Sequence, residues 1–160
     1  MQTNDSAWMQ PVLDVVKSTD PDLFAAIDSA DWTVTVVDEP EDMEYLLPLL
    51  DFGNFMSLLF GLATADGVTV QDTPGVPPVL RGKTWLNRLQ INDRADSLGV
   101  PAAHFAAETL VHEWTHHAGA HTEPPAYAAG IKFSREAGDA AIAEEMARTL
   151  AEVQEGADHG

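Results

Sequence analysis

Residues 106–119 read Ala-Ala-Glu-Thr-Leu-Val-His-Glu-Trp-Thr-His-His-Ala-Gly, and the chain is organised around His112-Glu113-Trp114-Thr115-His116 at their centre. Residues four apart on an α-helix share a face about one turn, roughly 6 Å, apart. Two imidazoles at that spacing reach one small cation. Neutral imidazole nitrogen suits Zn2+, and a catalytic zinc site takes three protein ligands and keeps one position open. Glu113 stands beside the first histidine, so its carboxylate serves water at that position without ligating the ion. There it accepts a proton as water attacks a carbonyl.

The flanks support a helix over about 101–118. Gly99-Val100-Pro101 opens it with a proline in the first turn, and Gly119 closes it from the C′ position. Phe105, Leu110, Val111 and Trp114 provide apolar cover. His104, Glu108, His112 and His116 fall on one i, i+4 line. Glu108 is read either as a partner of His112 or, more simply, as an exposed acid, and His117 as a surface residue.

Thr122-Glu123-Pro124-Pro125 starts the next helix. Because the chain turns at Gly119, that start lies beside the helix end just left. The two histidines precede Gly119 by three and seven residues, about 5 and 10 Å along the axis. A ligand at the start of the return helix meets them, and Glu123 stands there. The following proline is expected to push Glu123 out of helical conformation and free its side chain. Tyr127, one turn on, shares that face and either donates to a developing oxyanion or packs.

H-E-x-x-H is the zinc-binding signature of the zincin metallopeptidases, which this stretch resembles over residues 105–135. The resemblance implies a zinc-dependent metallopeptidase that hydrolyses peptide or related amide bonds, with His112 and His116 as ligands and Glu113 as general base. It also brings two rivals to Glu123. His121 corresponds to the third histidine of the metzincin pattern H-E-x-x-H-x-x-G-x-x-H; Gly119 matches, but His121 falls one residue early. Glu136 lies at the separation of the thermolysin-like gluzincins, where a second helix returns a glutamate to the metal. With Glu123 the ligand set is gluzincin-like with a short spacer. Zincins place a short mixed sheet before the active helix, its edge strand lining the substrate cleft. On that basis the strand around Leu86 to Ile91 is read as a partner for an extended peptide.

Elsewhere the pattern predicts packing elements. Asp5-Ser6 caps a first helix and Asp20-Pro21 a second. Trp32 to Val37 is a strand, Glu41 to Leu47 a short helix stopped near Pro48, and Phe55 to Ala65 apolar without a clear period. Asp66-Gly67 signals a hairpin turn before Val68-Thr69-Val70. Thr73 to Pro78 is a loop, Thr84 to Asn92 a strand. A last helix from about Asp139 carries Ile142, Met146, Leu150 and Val153 on one stripe, and His159 in the tail is no ligand candidate. The expected fold is α+β: one zincin-like domain over residues 1–160, a short mixed sheet packed on the active-site helix, with flanking helices.

Composition narrows the partners. The 160 residues carry a formal charge of −18 with only Lys17, Lys83 and Lys132 as lysines. That charge argues against nucleic acid and anionic membrane and favours a cationic peptide or protein substrate. It also keeps a protein soluble. The chain has no cysteine, so metal ligands are limited to histidine and carboxylate. Met1 to Gln10 lacks a signal-peptide pattern and no apolar run nears the length of a membrane span, so a cytoplasmic protein is expected. Oligomeric state is not legible. The rival reading is a catalytically silent zincin scaffold or an acidic protein-interaction module.

Overall fold

The α+β architecture follows from where the backbone finds its caps. The structure, a computed structural model, describes the backbone of residues 1–159 and the side chains of residues 1–156; the side chain of His159 lies outside the described residues. In chain order the elements are β1 (Gln2–Thr3), α1 (Ser6–Thr19), α2 (Pro21–Ser29), β2 (Thr33–Val37) and a 3-10 helix (Pro40–Leu49). Then come α3 (Phe52–Ala63), β3 (Gly67–Thr69), β4 (Lys83–Asn87), α4 (Arg88–Leu98), α5 (Ala102–His117), α6 (Glu123–Glu136) and α7 (Ala140–His159). Asp5 and Asp20 accept from the amides of Trp8 and Leu23, the N-caps expected for α1 and α2.

Among the described residues four strands form a mixed sheet in the order β1-β2-β4-β3. β1, β2 and β4 are parallel, and β3 runs antiparallel to β4 with Gly67 opposite Leu86. Side chains alternate across it. Val34, Val36 and Leu86 enter the main core with Met9, Val12, Trp32, Phe105, Leu110 and Met146. Val37 and Trp85 face the other way, into a smaller core closed by the 3-10 helix and α3. The sheet is thus sandwiched, with α5 buried on the main side.

Three expectations need correction, and one open segment is resolved. The strand expected over Thr84 to Asn92 stops at Asn87, whose side chain accepts from the amide of Gln90 and caps α4. β4 is also interior, flanked by β2 and β3, so its backbone is already paired and the edge strands are β1 and, on the side of β4, β3. Asp66-Gly67 is not a hairpin turn: the chain enters β3 from α3, and the β3–β4 connection is the long loop after Thr69. The segment with no clear period is helical, α3, capped by Asp51 accepting from Asn54. No helix among the described residues is long and apolar enough to cross a membrane.

Candidate metal centre

The site is built where α5 hands over to α6. Gly119, at φ 124°, turns the chain, and the amides of Gly119 and Ala120 bond back to the carbonyls of His116 and Thr115. α6 then starts at Glu123, one residue beyond Thr122. Glu123 is itself the first helical residue, so the following proline does not expel it from the helix as expected. Its position still serves the reach inferred from sequence, because helical side chains tilt towards the N-terminus and those of the first residue extend past the helix end. They point at the end of α5.

There the Glu123 carboxylate meets both histidines, Oε2 at 3.1 Å from His112 Nε2 and Oε1 at 3.3 Å from His116 Nε2. One ligand atom from each of His112, His116 and Glu123 lies within 4.8 Å of the other two. Among the described residues no other group of three such side chains converges in this way. His116 is oriented by its Nδ1–H donating to the Ala120 carbonyl at 2.8 Å, which leaves Nε2 facing Glu123. Gln71 braces the same turn, donating to the carbonyls of His116 and Ala120. The edge of the His112 ring meets Tyr127, 4.6 Å between centroids.

Electrostatics follow from this contact. Hydrogen bonding to Glu123 holds His116 up to about 9, and the two histidines hold Glu123 well below the usual carboxylate range. Burial works against the charge on His112, but its carboxylate neighbours, Glu123 first, outweigh it and raise its pKa. Without an ion the cluster is a proton-holding ion pair.

Glu113 faces a cavity of about 440 Å³ together with the cluster. It is 4% exposed, and burial pushes its pKa up. Its Oε2 accepts from Thr69 Oγ1 on the edge strand at 2.6 Å. Thr69 lies 2.8 Å from Thr84 Oγ1, which accepts from the indole N–H of Trp32 at 2.8 Å. An indole N–H only donates and a carboxylate only accepts. The chain therefore runs Trp32 to Thr84 to Thr69 to Glu113, with each hydroxyl donating onward. Neither threonine carries a sequence signal beyond strand propensity, and both were missed. Gly67 is the close approach beside them: a Cβ there would lie 3.0 Å from Glu113 Cγ.

The other sequence candidates fall elsewhere. His121 is exposed at the cavity rim and outside the cluster. Glu136 is at the far end of α6, which passes Gly130 unbroken, and it faces Lys132. His117 is not a plain surface residue: its ring stacks on Trp32, 5.2 Å between centroids. Glu108, the acid read as exposed, is 2% exposed, and its Oε1 has no hydrogen-bond partner among the described residues. It fits because Gly130 on α6 lacks a Cβ, which would sit 2.2 Å from Oε1.

Comparison with known proteins finds no matching family model, no matching curated protein and no matching solved structure.

Proposed function

We propose that the protein is a zinc-dependent metallopeptidase of zincin type, with His112, His116 and Glu123 as ligands and Glu113 as general base. The observation that carries this reading is the convergence of the three ligand atoms within 4.8 Å beside a cavity that Glu113 also lines. Two imidazoles and a carboxylate are a donor set that suits zinc and keeps a coordination position open. The ring orientation fits as well, since the Nδ1 of His116 is engaged by a carbonyl and its Nε2 carries the lone pair in the neutral form.

Zinc held there supplies Lewis acidity, polarising a substrate carbonyl and acidifying water. Glu113 takes the proton from the attacking water and passes it to the leaving nitrogen. Thr69 holds Oε2 of Glu113 and leaves Oε1 for that exchange. Tyr127 keeps its own proton, its pKa pushed up to about 12 by burial and by Glu123, so its hydroxyl is a donor for a developing oxyanion. The role first given to the segment around Leu86 passes to edge strand β3, whose Gly67 to Thr69 flank the cavity and offer main chain to an extended peptide. The cavity walls carry Asp66, Glu108, Glu113 and Glu123 beside Arg94, His112, His116 and His121, and the preference for a cationic substrate rests on the net charge of −18.

Elemental analysis of protein purified without added metal tests the reading. About one zinc per chain is expected, and none in His112→Ala/His116→Ala. Glu113→Gln should retain zinc and lose roughly 10²–10⁴-fold of peptidase activity. Equal zinc in wild type and the double variant refutes it.

A further inference from the structure

Away from the metal centre, the smaller core is closed by a helix that is apolar outside as well as inside. α3 contains no charged residue. At about 100° per residue, Phe55, Leu58 and Leu62 fall within one arc of about 60°, and these are its buried residues. Phe52, Met56, Leu59, Phe60 and Ala63 share an adjoining arc of about 100°. On that second arc Phe52 is 73% exposed and Phe60 64%. On the preceding 3-10 helix Leu49, Leu47 and Tyr45 are also 57%, 47% and 49% exposed, although at three residues per turn they fall on different sides of it. One exposed leucine is ordinary; two large, strongly exposed aromatic side chains on one apolar arc of a helix mark an interaction surface.

The margin of this surface has one sign of charge. No Lys, Arg or His occurs between Lys17 and Arg81. Glu39, Glu41, Glu44 and Asp51 are exposed around the apolar residues. Arg88 neutralises Asp38 nearby, but among the described residues no cation pairs with Glu41, Glu44 or Asp51.

We infer that this face docks a cationic amphipathic segment of another polypeptide, a helix with large apolar side chains on one side and Lys or Arg along its margins. Apolar contact with Phe52 and Phe60 supplies the attraction, and the unpaired acids select the charge of the partner. The other occupants fit less well. An anionic lipid surface meets the acidic margin and a net charge of −18. A second copy of the chain, docked about a two-fold axis, sets this acidic margin against the same acidic margin of its partner. The inference stands apart from the metal centre, although Thr64 and Ala65, just beyond α3, line the cavity there.

The test uses fluorescence anisotropy with a labelled Leu/Lys amphipathic helix of about 18 residues, roughly 27 Å long, and a Leu/Glu helix with the same apolar positions. The Leu/Lys probe should bind wild type and bind His112→Ala/His116→Ala equally well, which separates this surface from the metal reading. Binding should weaken roughly tenfold or more in Phe52→Ser/Phe60→Ser and in Glu41→Gln/Glu44→Gln, with circular dichroism unchanged, these side chains being exposed. Equal binding of the Leu/Glu probe, or unchanged binding in Phe52→Ser/Phe60→Ser, overturns the inference. So does wild-type self-association, by sedimentation, that the phenylalanine pair of changes abolishes, or docking of the same face onto zwitterionic vesicles.

Discussion

Replacing Glu108 by Gln in metal-free protein should stabilise the fold at about pH 8 and flatten its dependence on pH. Glu108 is enclosed between α5 and Gly130 of α6, with Oε1 lacking a partner. Burial first, then the like charges of Asp66 and Glu113, push its pKa up to about 7 from 4.5. Between those values the folded chain keeps a proton that the unfolded chain has released. Stability from this group is therefore fully present below pH 4.5 and is lost as pH rises towards about 7. One pH unit of that difference is worth about 1.4 kcal/mol, so the window amounts to about 3 kcal/mol. Gln does not ionise and escapes this loss, but its amide brings new donors to a wall without partners, at a cost of about 1 kcal/mol. The variant should gain about 2 kcal/mol near pH 8 and lose about 1 kcal/mol at pH 4 and below, so the two stability curves cross near about pH 5. Urea unfolding with chelator present, in steps across that range, measures it, and subtracting the curves removes groups common to both proteins. A constant difference at every pH would mean that Glu108 titrates alike in both states, and the buried-acid account would fail.

The candidate ligands make separable predictions. Glu123→Ala should weaken zinc binding beyond the roughly 10–100-fold typical of losing a supporting partner, while His121→Ala and Glu136→Ala leave it unchanged in chelator competition; collapse in His121→Ala would move the third ligand there. In metal-free protein the Glu123–His116 pair stabilises the fold fully between about pH 4.5 and 6.5; the share of the lowered Glu123 carboxyl is lost as pH falls below that window, and the share of His116 is lost as pH rises through about 9. Zinc must displace the same proton, so its affinity should climb from about pH 7 to about pH 9, by up to about tenfold per unit; a flat profile contradicts the assignment. Thr69→Val should keep zinc and lower peptidase activity roughly tenfold or more, since Glu113 loses the hydroxyl that holds Oε2. Full activity in that variant would remove Thr69 from the site.

What could be read from the chain, and what could not, divides by sequence distance. The i, i+4 histidines, the turn at Gly119 and Glu123 at the head of the return helix are local geometry, and a few residues sufficed to bring their side chains together. α1 and α2 were legible from Asp5 and Asp20 for the same reason. α4 was missed although its signal is local too: Asn87 caps it, but Leu89 and Ile91 prolong the strand-like look of Trp85 and Leu86. Sheet order is another matter. β4 is interior because β1, β2 and β3 come to it from distant parts of the chain, and no local pattern states that. The burial of Glu108 depends on a missing Cβ on another helix.

Glu113 shows how the two ranges combine. Its place beside His112 is local, yet its orientation comes from Thr69, 44 residues away. Thr69 sits on the short edge strand, which alone would be a weak support. It is steadied because β4 pairs on both sides and presents Thr84 between Thr69 and the buried Trp32. A donor-only indole at one end and an acceptor-only carboxylate at the other give the chain one direction while Glu113 is ionised. Protonating Glu113 removes the requirement for that direction and weakens its hold on Thr69. The sheet therefore favours the ionised form against the burial that raises its pKa. On the proposed reading, that balance is what would keep a buried carboxylate available as a base.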